Sequence, residues 1–340
     1  MGKLAMLPYT MTTMNETAPA KTAPNSASNQ VLVAVEDFQH PGGWRDSSRA
    51  AQHARQCCQH LEAGKILFFS GLPFDLPPSD RQFLLSQRQT GSRLHKNVSY
   101  RPLQDVLRGT TGKQEEVARL HGIMRRYSAE VTRFLGVLLA PYAKDWALDY
   151  ASFRPEEEKG RDLPVHKRND LLHFDAFPTR PMHGRRILRC FTNINPAFPR
   201  IWTTTDGFEA LAATFAAEAG LARFAAQGSQ PGNGLVRKIK KLFGLKAVAH
   251  SAYDRFMLNF HDFLKEKTDF QLNCPKIRLE FPPGSTWICF TDSVPHAVLA
   301  GQYALEQTLI ISLAALLQPE QAPIRVLERI AGAPLAPSQA

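Results

Sequence analysis

The sequence predicts an α+β fold in which N-terminal helices precede a jelly-roll core, and a helical insertion interrupts that core. Three observations favour this class. Helical patterns dominate up to about residue 139, short β-rich runs separated by turn residues dominate after residue 171, and an alanine-rich helical stretch divides those runs into two groups. Short strands punctuated by turns are typical of a sandwich or jelly roll.

The N-terminal part mixes strand-like and helical patterns. Residues 1–30 are rich in Thr, Ala, Pro, Asn and Ser, and they predict a disordered tail because they bury too little apolar surface to offset the entropy of ordering. Helical periodicity is clearest where Leu120, Ile123, Val131 and Leu138 share one stripe. The predicted elements are strands at 31–35 and 65–69 and helices at 47–63, 79–89 and 113–139.

The second half of the chain carries the predicted core. Strands are predicted at 187–194, 276–281, 285–290, 296–299 and 308–314. A helical insertion at about 207–267 separates the first of these strands from the others. We predict one domain over residues 31–340, with the jelly-roll core at about 165–320.

Charge and cysteine content narrow the classes of partner and location. The 41 Lys and Arg against 31 Asp and Glu give a formal charge of +10, which favours an anionic partner. A nucleic acid is not expected, because no recognised motif or regular aromatic–basic interleaving accompanies the charge. Five cysteines without a CxxC pair favour a reducing cytoplasm over a disulfide framework or structural zinc site. Neither a membrane-spanning run nor a signal peptide is predicted.

The main motif is Leu171-Leu172-His173-Phe174-Asp175. In an extended segment, residues i and i+2 project to the same side, so His173 and Asp175 can bind one ion. His296 follows a predicted strand and a Pro turn, and it is the candidate third ligand. Two histidines and one carboxylate on one face of a metal, with the opposite positions open, are the ligand set of non-haem iron oxygenases. The motif therefore predicts Fe(II), with 2-oxoglutarate and dioxygen as cosubstrates.

A cation is needed to hold the distal carboxylate of 2-oxoglutarate. Many oxygenases of this class carry it shortly after the last histidine, but residues 297–308 contain no Lys or Arg. The predicted anchor is Arg189, with Arg186 as the second choice, because an Arg binds a carboxylate through two hydrogen bonds. Strand alternation places Asn193 on the Arg189 face, and Gln307 and Thr308 are predicted to add hydrogen bonds.

Other polar residues are candidates for contact with an acidic substrate. These are His95, Lys96, Arg101 and His261. His261 and its neighbour Asp262 lie on a predicted helix, where adjacent residues diverge by about 100° and therefore chelate one ion poorly. The basic segment at 234–246 combines cations with apolar residues, as a helix on an anionic membrane surface does, although a solvated helix face fits equally well.

Five segments together resemble the Kdo (3-deoxy-D-manno-oct-2-ulosonic acid) hydroxylases, a family that acts on lipopolysaccharide precursors. They are residues 95–102, 169–181, 184–196, 253–265 and 286–298, within a likeness that runs from about 35 to 325. The resemblance implies a double-stranded β-helix of the cupin-like type with iron at His173, Asp175 and His296. It also implies hydroxylation of the 3-deoxy carbon of Kdo in Kdo-lipid A, or a related acidic glycolipid, to give the sugar Ko.

Two alternatives remain open at this point. A jelly-roll metal hydrolase could use the same three ligands with zinc and an activated water. A non-enzymatic protein that binds anionic lipid or nucleic acid would account for the charge without any metal. The predicted location is the cytoplasm, with peripheral contact at the cytoplasmic face of the inner membrane as one interpretation of the basic segment.

Overall fold

The computed structural model describes residues 30–39, 43–87, 97–227 and 249–337. Its helices are α1 (Ser47–Glu62), α2 (Pro78–Ser86), α3 (Gln114–Leu138), α4 (Phe208–Phe215), α5 (Leu221–Gln227), α6 (Ala252–Glu266), α7 (Thr268–Asn273) and α8 (Pro323–Ala331). Its strands are β1 (Leu32–Ala34), β2 (Phe38–Gln39), β3 (Gly43–Trp44), β4 (Ile66–Phe69), β5 (Val98–Arg101), β6 (Val106–Arg108), β7 (Trp146–Arg154), β8 (Arg186–Asn193), β9 (Arg200–Thr204), β10 (Ile277–Phe281), β11 (Thr286–Phe290), β12 (Ala297–Ala300) and β13 (Ala304–Ile311).

Two sheets pack face to face, which confirms the predicted α+β jelly-roll class. The large sheet has eight strands in the order β1-β4-β11-β8-β13-β7-β5-β6, and the small sheet has the order β10-β9-β12. Aromatic rings fill the space between them: Phe281 stacks on Trp287 at 3.9 Å between centroids, and Phe191 meets Trp202 edge-on at 4.9 Å. This aromatic layer sets the spacing of the two sheets next to the site described below.

Helix α3 covers the outer face of the large sheet. Its apolar stripe is buried as predicted, and Leu120, Ile123 and Leu138 are each at most 1% exposed. They share one core with Leu305 and Leu309 of β13. Burial of each such side chain contributes roughly 1.5–3 kcal/mol, so this face is a main source of the fold's stability.

The insertion between β9 and β10 contains α4, α5, α6 and α7 among the described residues. Helix α6 begins with a capping box, in which Ser251 and Asp254 each accept from the other's backbone N–H. Its buried face packs Phe256 and Phe260 against the core, with Phe260 stacked near Phe174 of the His-x-Asp motif. The insertion therefore packs directly against the His-x-Asp motif through Phe260 and Phe174.

The large sheet differs from the prediction at its far edge. Strands β5, β6 and β7 belong to it although they precede residue 165, and β9 was also not predicted. In β7 the residues Asp149, Tyr150, Ser152 and Arg154 interrupt the apolar pattern, because one face of this strand lines polar space instead of core. No helix within the described ranges is long and apolar enough to cross a membrane.

Candidate metal centre

Backbone pairing brings His173 and His296 together. The two residues form an isolated antiparallel bridge, with hydrogen bonds of 3.2 Å from His173 N to His296 O and 3.0 Å from His296 N to His173 O. Asp175 N donates to Thr291 O at 2.8 Å, so the motif is also tied to the turn after β11. The buried Leu172 and Phe174 alternate with the histidine and the aspartate and hold the segment in the core.

The three side chains converge on one point. The Asp175 carboxylate oxygens lie 3.9 Å from Nε2 of His173 and 3.9 Å from Nε2 of His296. The candidate ligand atoms all lie within 4.8 Å of one another. His173 Nδ1 lies 2.7 Å from Leu171 O and His296 Nδ1 lies 3.0 Å from Val294 O. Carbonyl acceptors at both Nδ1 atoms place the protons there and leave both Nε2 lone pairs for a metal.

Burial and charge set the protonation states that a cation requires. Burial lowers the pKa of His173 and of His296, so both imidazoles are neutral at pH 7. Burial raises the pKa of Asp175, but the charge of the nearby Arg189 guanidinium opposes that effect, and the pKa lies below its usual range. Two neutral imidazoles and one carboxylate form a donor set that suits a divalent metal.

A pocket between the two sheets opens from this triad. It is lined, beyond the triad, by Arg154, Asn169, Arg189, Phe191, Arg200, Trp202 and Val298. Arg189 Nη1 lies 3.1 Å from Asp175 Oδ2, and the Trp202 ring stacks on His296 at 5.1 Å between centroids. Three arginines line the pocket, each with an acidic partner nearby, and they are the candidate cations for a dicarboxylate.

An acidic residue stands on β13 where the common pattern would have a cation. Glu306 pairs with Arg154 of β7 at 2.5 Å and with Arg189 of β8 at 3.4 Å. The cations that the segment 297–308 lacks are therefore supplied by the two strands that flank it. Thr308, on the same face, donates to Glu306 at 3.3 Å.

Arg200 is the least compensated of the three pocket arginines. Its Nη1 donates to Gly301 O at 3.0 Å, and its Nη2 is 3.5 Å from Glu158. Burial lowers the pKa of Arg200 to about 10, so it remains charged at neutral pH. Gly301 has φ +127°, and a Cβ there would lie 2.8 Å from Arg200 Cγ. Glycine is therefore required for this close approach.

Some predicted cosubstrate residues lie away from the pocket. Arg186 points to the opposite face of β8, where it pairs with Asp292 at 2.8 Å. Asn193 donates to the carbonyls of Phe198 and Phe281 at the end of the strand. Gln307 faces α3 and accepts from Ser128 Oγ. These three predictions need correction, because their polar groups are already engaged in holding the fold together.

The predicted substrate contacts have different outcomes. His261 lies on α6 beside the triad: its ring is 4.8 Å from the His173 ring, and its Nδ1 is 2.6 Å from Phe174 O. Arg101 lies on β5 with its guanidinium over the ring of Tyr150. His95 and Lys96 lie outside the described residues, as do the predicted N-terminal tail up to residue 29 and the basic segment at 234–246.

Sequence reasoning missed Arg154, Arg200 and Trp202. The signal for Arg154 was the alternation of Tyr150, Ser152 and Arg154 through β7, which follows a long helix and has too many polar residues to predict a core strand. Arg200 and Trp202 occupy alternate positions of β9, whose five residues are all buried. A wholly buried strand with an arginine at its start indicates a polar cavity inside the sandwich.

Unsatisfied polar atoms test whether iron and 2-oxoglutarate fit this pocket. Asp175 Oδ2, Arg189 Nε, Arg200 Nε and Trp202 Nε1 are buried and make no well-aligned hydrogen bond within the described part of the chain. Buried polar groups in native proteins are normally satisfied. One acceptor at the triad and three donors around the pocket match a metal cation together with an anionic chelator, so the residues present fit both groups.

Comparisons with known proteins identify the family of this chain. The family model for 3-deoxy-D-manno-oct-2-ulosonic acid (Kdo) hydroxylase matches residues 44–334. The apo structure of the Kdo hydroxylase KdoO, described as a non-heme Fe(II) alphaketoglutarate-dependent dioxygenase, is 35% identical with a TM-score of 0.78, over 92% of this chain and 99% of that one. KdoO in complex with alphaketoglutarate and Fe(III) is 34% identical with a TM-score of 0.75, over 92% and 99%. A search of curated proteins found no match. The chain therefore belongs to the Kdo hydroxylase family.

Proposed function

We propose that this protein is an Fe(II)- and 2-oxoglutarate-dependent dioxygenase that hydroxylates the 3-deoxy carbon of Kdo in Kdo-lipid A to give Ko, a modification of the lipopolysaccharide inner core. The observation that carries the proposal is the buried triad of His173, Asp175 and His296, which opens into an arginine-lined pocket. The 35% identity to KdoO supports the choice of reaction.

The triad residues would hold iron on one face and leave the pocket side open. Iron with 2-oxoglutarate supplies the oxidative decarboxylation that consumes dioxygen and yields succinate and carbon dioxide. The carbonyls of Leu171 and Val294 hold the two imidazoles in the tautomer that binds a metal. Arg189 keeps Asp175 ionised from 3.1 Å away. Trp202, stacked on His296, excludes water from one side of the ligand set.

The pocket arginines would bind the distal carboxylate of 2-oxoglutarate. Arg189, the arginine chosen from sequence, shares Glu306 with Arg154, so part of its charge is already neutralised. Among the described residues, Arg200 has only the weaker partner Glu158, at 3.5 Å from its Nη2, and its Nε is unsatisfied like that of Arg189. An incoming carboxylate therefore gains most from Arg200, with Arg189 as the second cation. Thr308 is the neighbouring hydroxyl that donates to Glu306.

Replacing Arg200 by glutamine is expected to raise the KM for 2-oxoglutarate by about 10–100-fold, the scale of one or two hydrogen bonds to a charged group. Steady-state kinetics at saturating acceptor would measure it, with Arg278→Gln as the matched control. Arg278 lies on the neighbouring strand β10 and is exposed. A larger rise in Arg189→Gln than in Arg200→Gln would instead make Arg189 the main anchor.

The proposed reaction is tested by succinate release from anaerobically Fe(II)-loaded protein given air and 2-oxoglutarate, with and without Kdo-lipid A. We expect the glycolipid to increase the release and to gain one oxygen atom by mass spectrometry. Succinate release without an added oxygen atom on the glycolipid would support the dioxygenase but reject Kdo-lipid A as its acceptor. No release from iron-loaded protein would reject the oxygenase, and acceptor hydrolysis with zinc would then identify a metal hydrolase.

The proposed partner and location are supported by the charge of the chain. An acidic glycolipid suits a protein of formal charge +10, and peripheral contact with the cytoplasmic face of the inner membrane would bring the two together. Residues 234–246 are the segment proposed to make that contact. Co-sedimentation with anionic vesicles, compared with neutral ones, measures it directly.

A further inference from the structure

The edge of the large sheet that extends past β13 carries arginines and aromatic rings on its pocket side. Along β7, Tyr150 and Arg154 alternate with Ala151 and Phe153, which are fully buried in the main core. Tyr100 of β5 pairs with Ala151, so Arg101 is the cross-strand neighbour of Tyr150. Side chains on one face of neighbouring strands contact each other directly.

Guanidinium groups and rings alternate from this edge to the triad. Arg101 Cζ lies 4.9 Å from the centroid of the Tyr150 ring. Arg180 Cζ lies 4.2 Å from that same centroid and 4.0 Å from the centroid of Phe177. Arg189 Cζ lies 5.3 Å from the Phe177 ring and so continues the series to Asp175. The series is continuous with the metal site and is not an isolated surface feature.

The outer part of this series has an excess of positive charge. Arg180 Nη1 donates to Asp149, the carboxylate that partners it. Arg101 Nε is buried without a hydrogen-bond partner, and within the described ranges its guanidinium forms no ion pair. Two cations thus stack on one tyrosine ring, and only Arg180 has a carboxylate partner among the described residues. Stacking on a ring fixes the plane of a guanidinium and leaves its edge available for a carboxylate or phosphate.

We propose that Arg101 and Arg180, stacked on Tyr150, form a subsite for a second oxyanion of the acceptor, held while the reacting sugar is at the triad. This inference rests on the proposed function and names the part of the substrate that the enzyme selects. From Arg189 on β8 to Arg101 on β5 the sheet crosses three strand intervals, about 14 Å. That distance leaves room for a further acidic unit beyond the reacting sugar, either a second sugar carboxylate or a glycolipid phosphate.

Three soluble acceptors distinguish the sources of the oxyanion. They are the methyl glycoside of Kdo, a Kdo disaccharide with a second carboxylate, and a deacylated Kdo-lipid A backbone with its phosphates. Arg101→Gln and Arg180→Gln are each expected to raise KM about tenfold for an acceptor that fills the subsite, with a much smaller change for the glycoside and little change in kcat. The acceptor with the larger rise identifies the carboxylate or the phosphate as the bound group.

Control variants separate recognition from general charge and from folding. Arg133→Gln removes one charge from the exposed face of α3 and should leave all three KM values unchanged. Tyr150→Phe retains the stacking ring and should keep the wild-type KM, whereas Tyr150→Leu should behave like the arginine variants. Equal changes for the three acceptors, or no change for any of them, would overturn the subsite.

The subsite and the proposed reaction can fail separately. If no acceptor is hydroxylated, the reaction has failed, and calorimetric titration of the same acceptors into the wild type and both arginine variants still tests the subsite. A dissociation constant that rises about tenfold in the variants for a two-anion acceptor supports it. Dissociation constants that are the same in the wild type and the variants reject it.

Discussion

Replacing His173 by alanine is expected to abolish stoichiometric iron binding and to lower succinate production by at least about 10³-fold. The reason is that a bound metal lowers the activation barrier by several kcal/mol. His173 contributes one of the three ligand atoms that lie within 4.8 Å of one another. No other described His, Cys, Asp or Glu completes such a cluster around the pocket. Metal content after anaerobic loading and gel filtration, together with the succinate assay, measures both effects.

A nearby histidine provides the matched control for this prediction. His166 is exposed and shortly precedes the His-x-Asp motif in the sequence, so His166→Ala should retain iron and activity. His296→Ala should match His173→Ala, since the two imidazoles have equivalent places in the triad. Retention of one iron per chain by either triad variant would contradict the assignment of the ligands.

The triad was predictable from sequence for a simple geometric reason. Two ligands two residues apart in an extended segment share a side whatever the surrounding fold, so His173 and Asp175 needed no tertiary information. His296 needed only a strand followed by a turn, and the structure places it in a bridge with His173. The helical insertion lies in the long stretch between them without disturbing their pairing.

The arginines of the pocket could not be chosen from sequence with the same security. Alternation along β8 correctly placed Arg189 and Arg186 on opposite faces of the strand. It did not show which of the two faces lines the pocket. Arg154 and Arg200 lie on other strands, and only the order β8-β13-β7 and the opposing small sheet bring them together. Charge pairing across a sheet depends on non-local register, which a single sequence does not specify.

The same limit explains the misplaced Gln307 and Asn193. Both are buried polar residues on strands of the large sheet, a pattern that indicates either a functional site or a buried structural hydrogen bond. Gln307 bonds Ser128 on α3, far along the chain, and Asn193 bonds the carbonyl of Phe281. Because these partners lie far away in sequence, local pattern alone favoured the wrong alternative.

Alanine at Asp292 is expected to lower the free energy of unfolding by about 3–5 kcal/mol, the cost of leaving one partner of a buried ion pair uncompensated. Arg186 is 0% exposed, and it donates to Asp292 at 2.8 Å and to Ser293 Oγ at 2.6 Å while its guanidinium stacks over Phe290. Without the carboxylate, its charge remains in the core. Denaturant unfolding monitored by circular dichroism measures the loss.

Two further variants identify the ion pair as the cause. Asp170→Ala breaks a half-exposed pair with Arg168 and should cost at most about 1 kcal/mol. The double variant Arg186→Met with Asp292→Leu removes both charges and should be more stable than Asp292→Ala, because no buried charge then lacks a partner. A double variant that is less stable than Asp292→Ala would show that packing, and not the unpaired charge, dominates the loss.

The same substitution also bears on the metal centre. Asp292 follows Thr291, whose carbonyl accepts a hydrogen bond from Asp175 N. We therefore expect Asp292→Ala to weaken iron binding by about 10–100-fold, because the turn that holds Asp175 would be displaced.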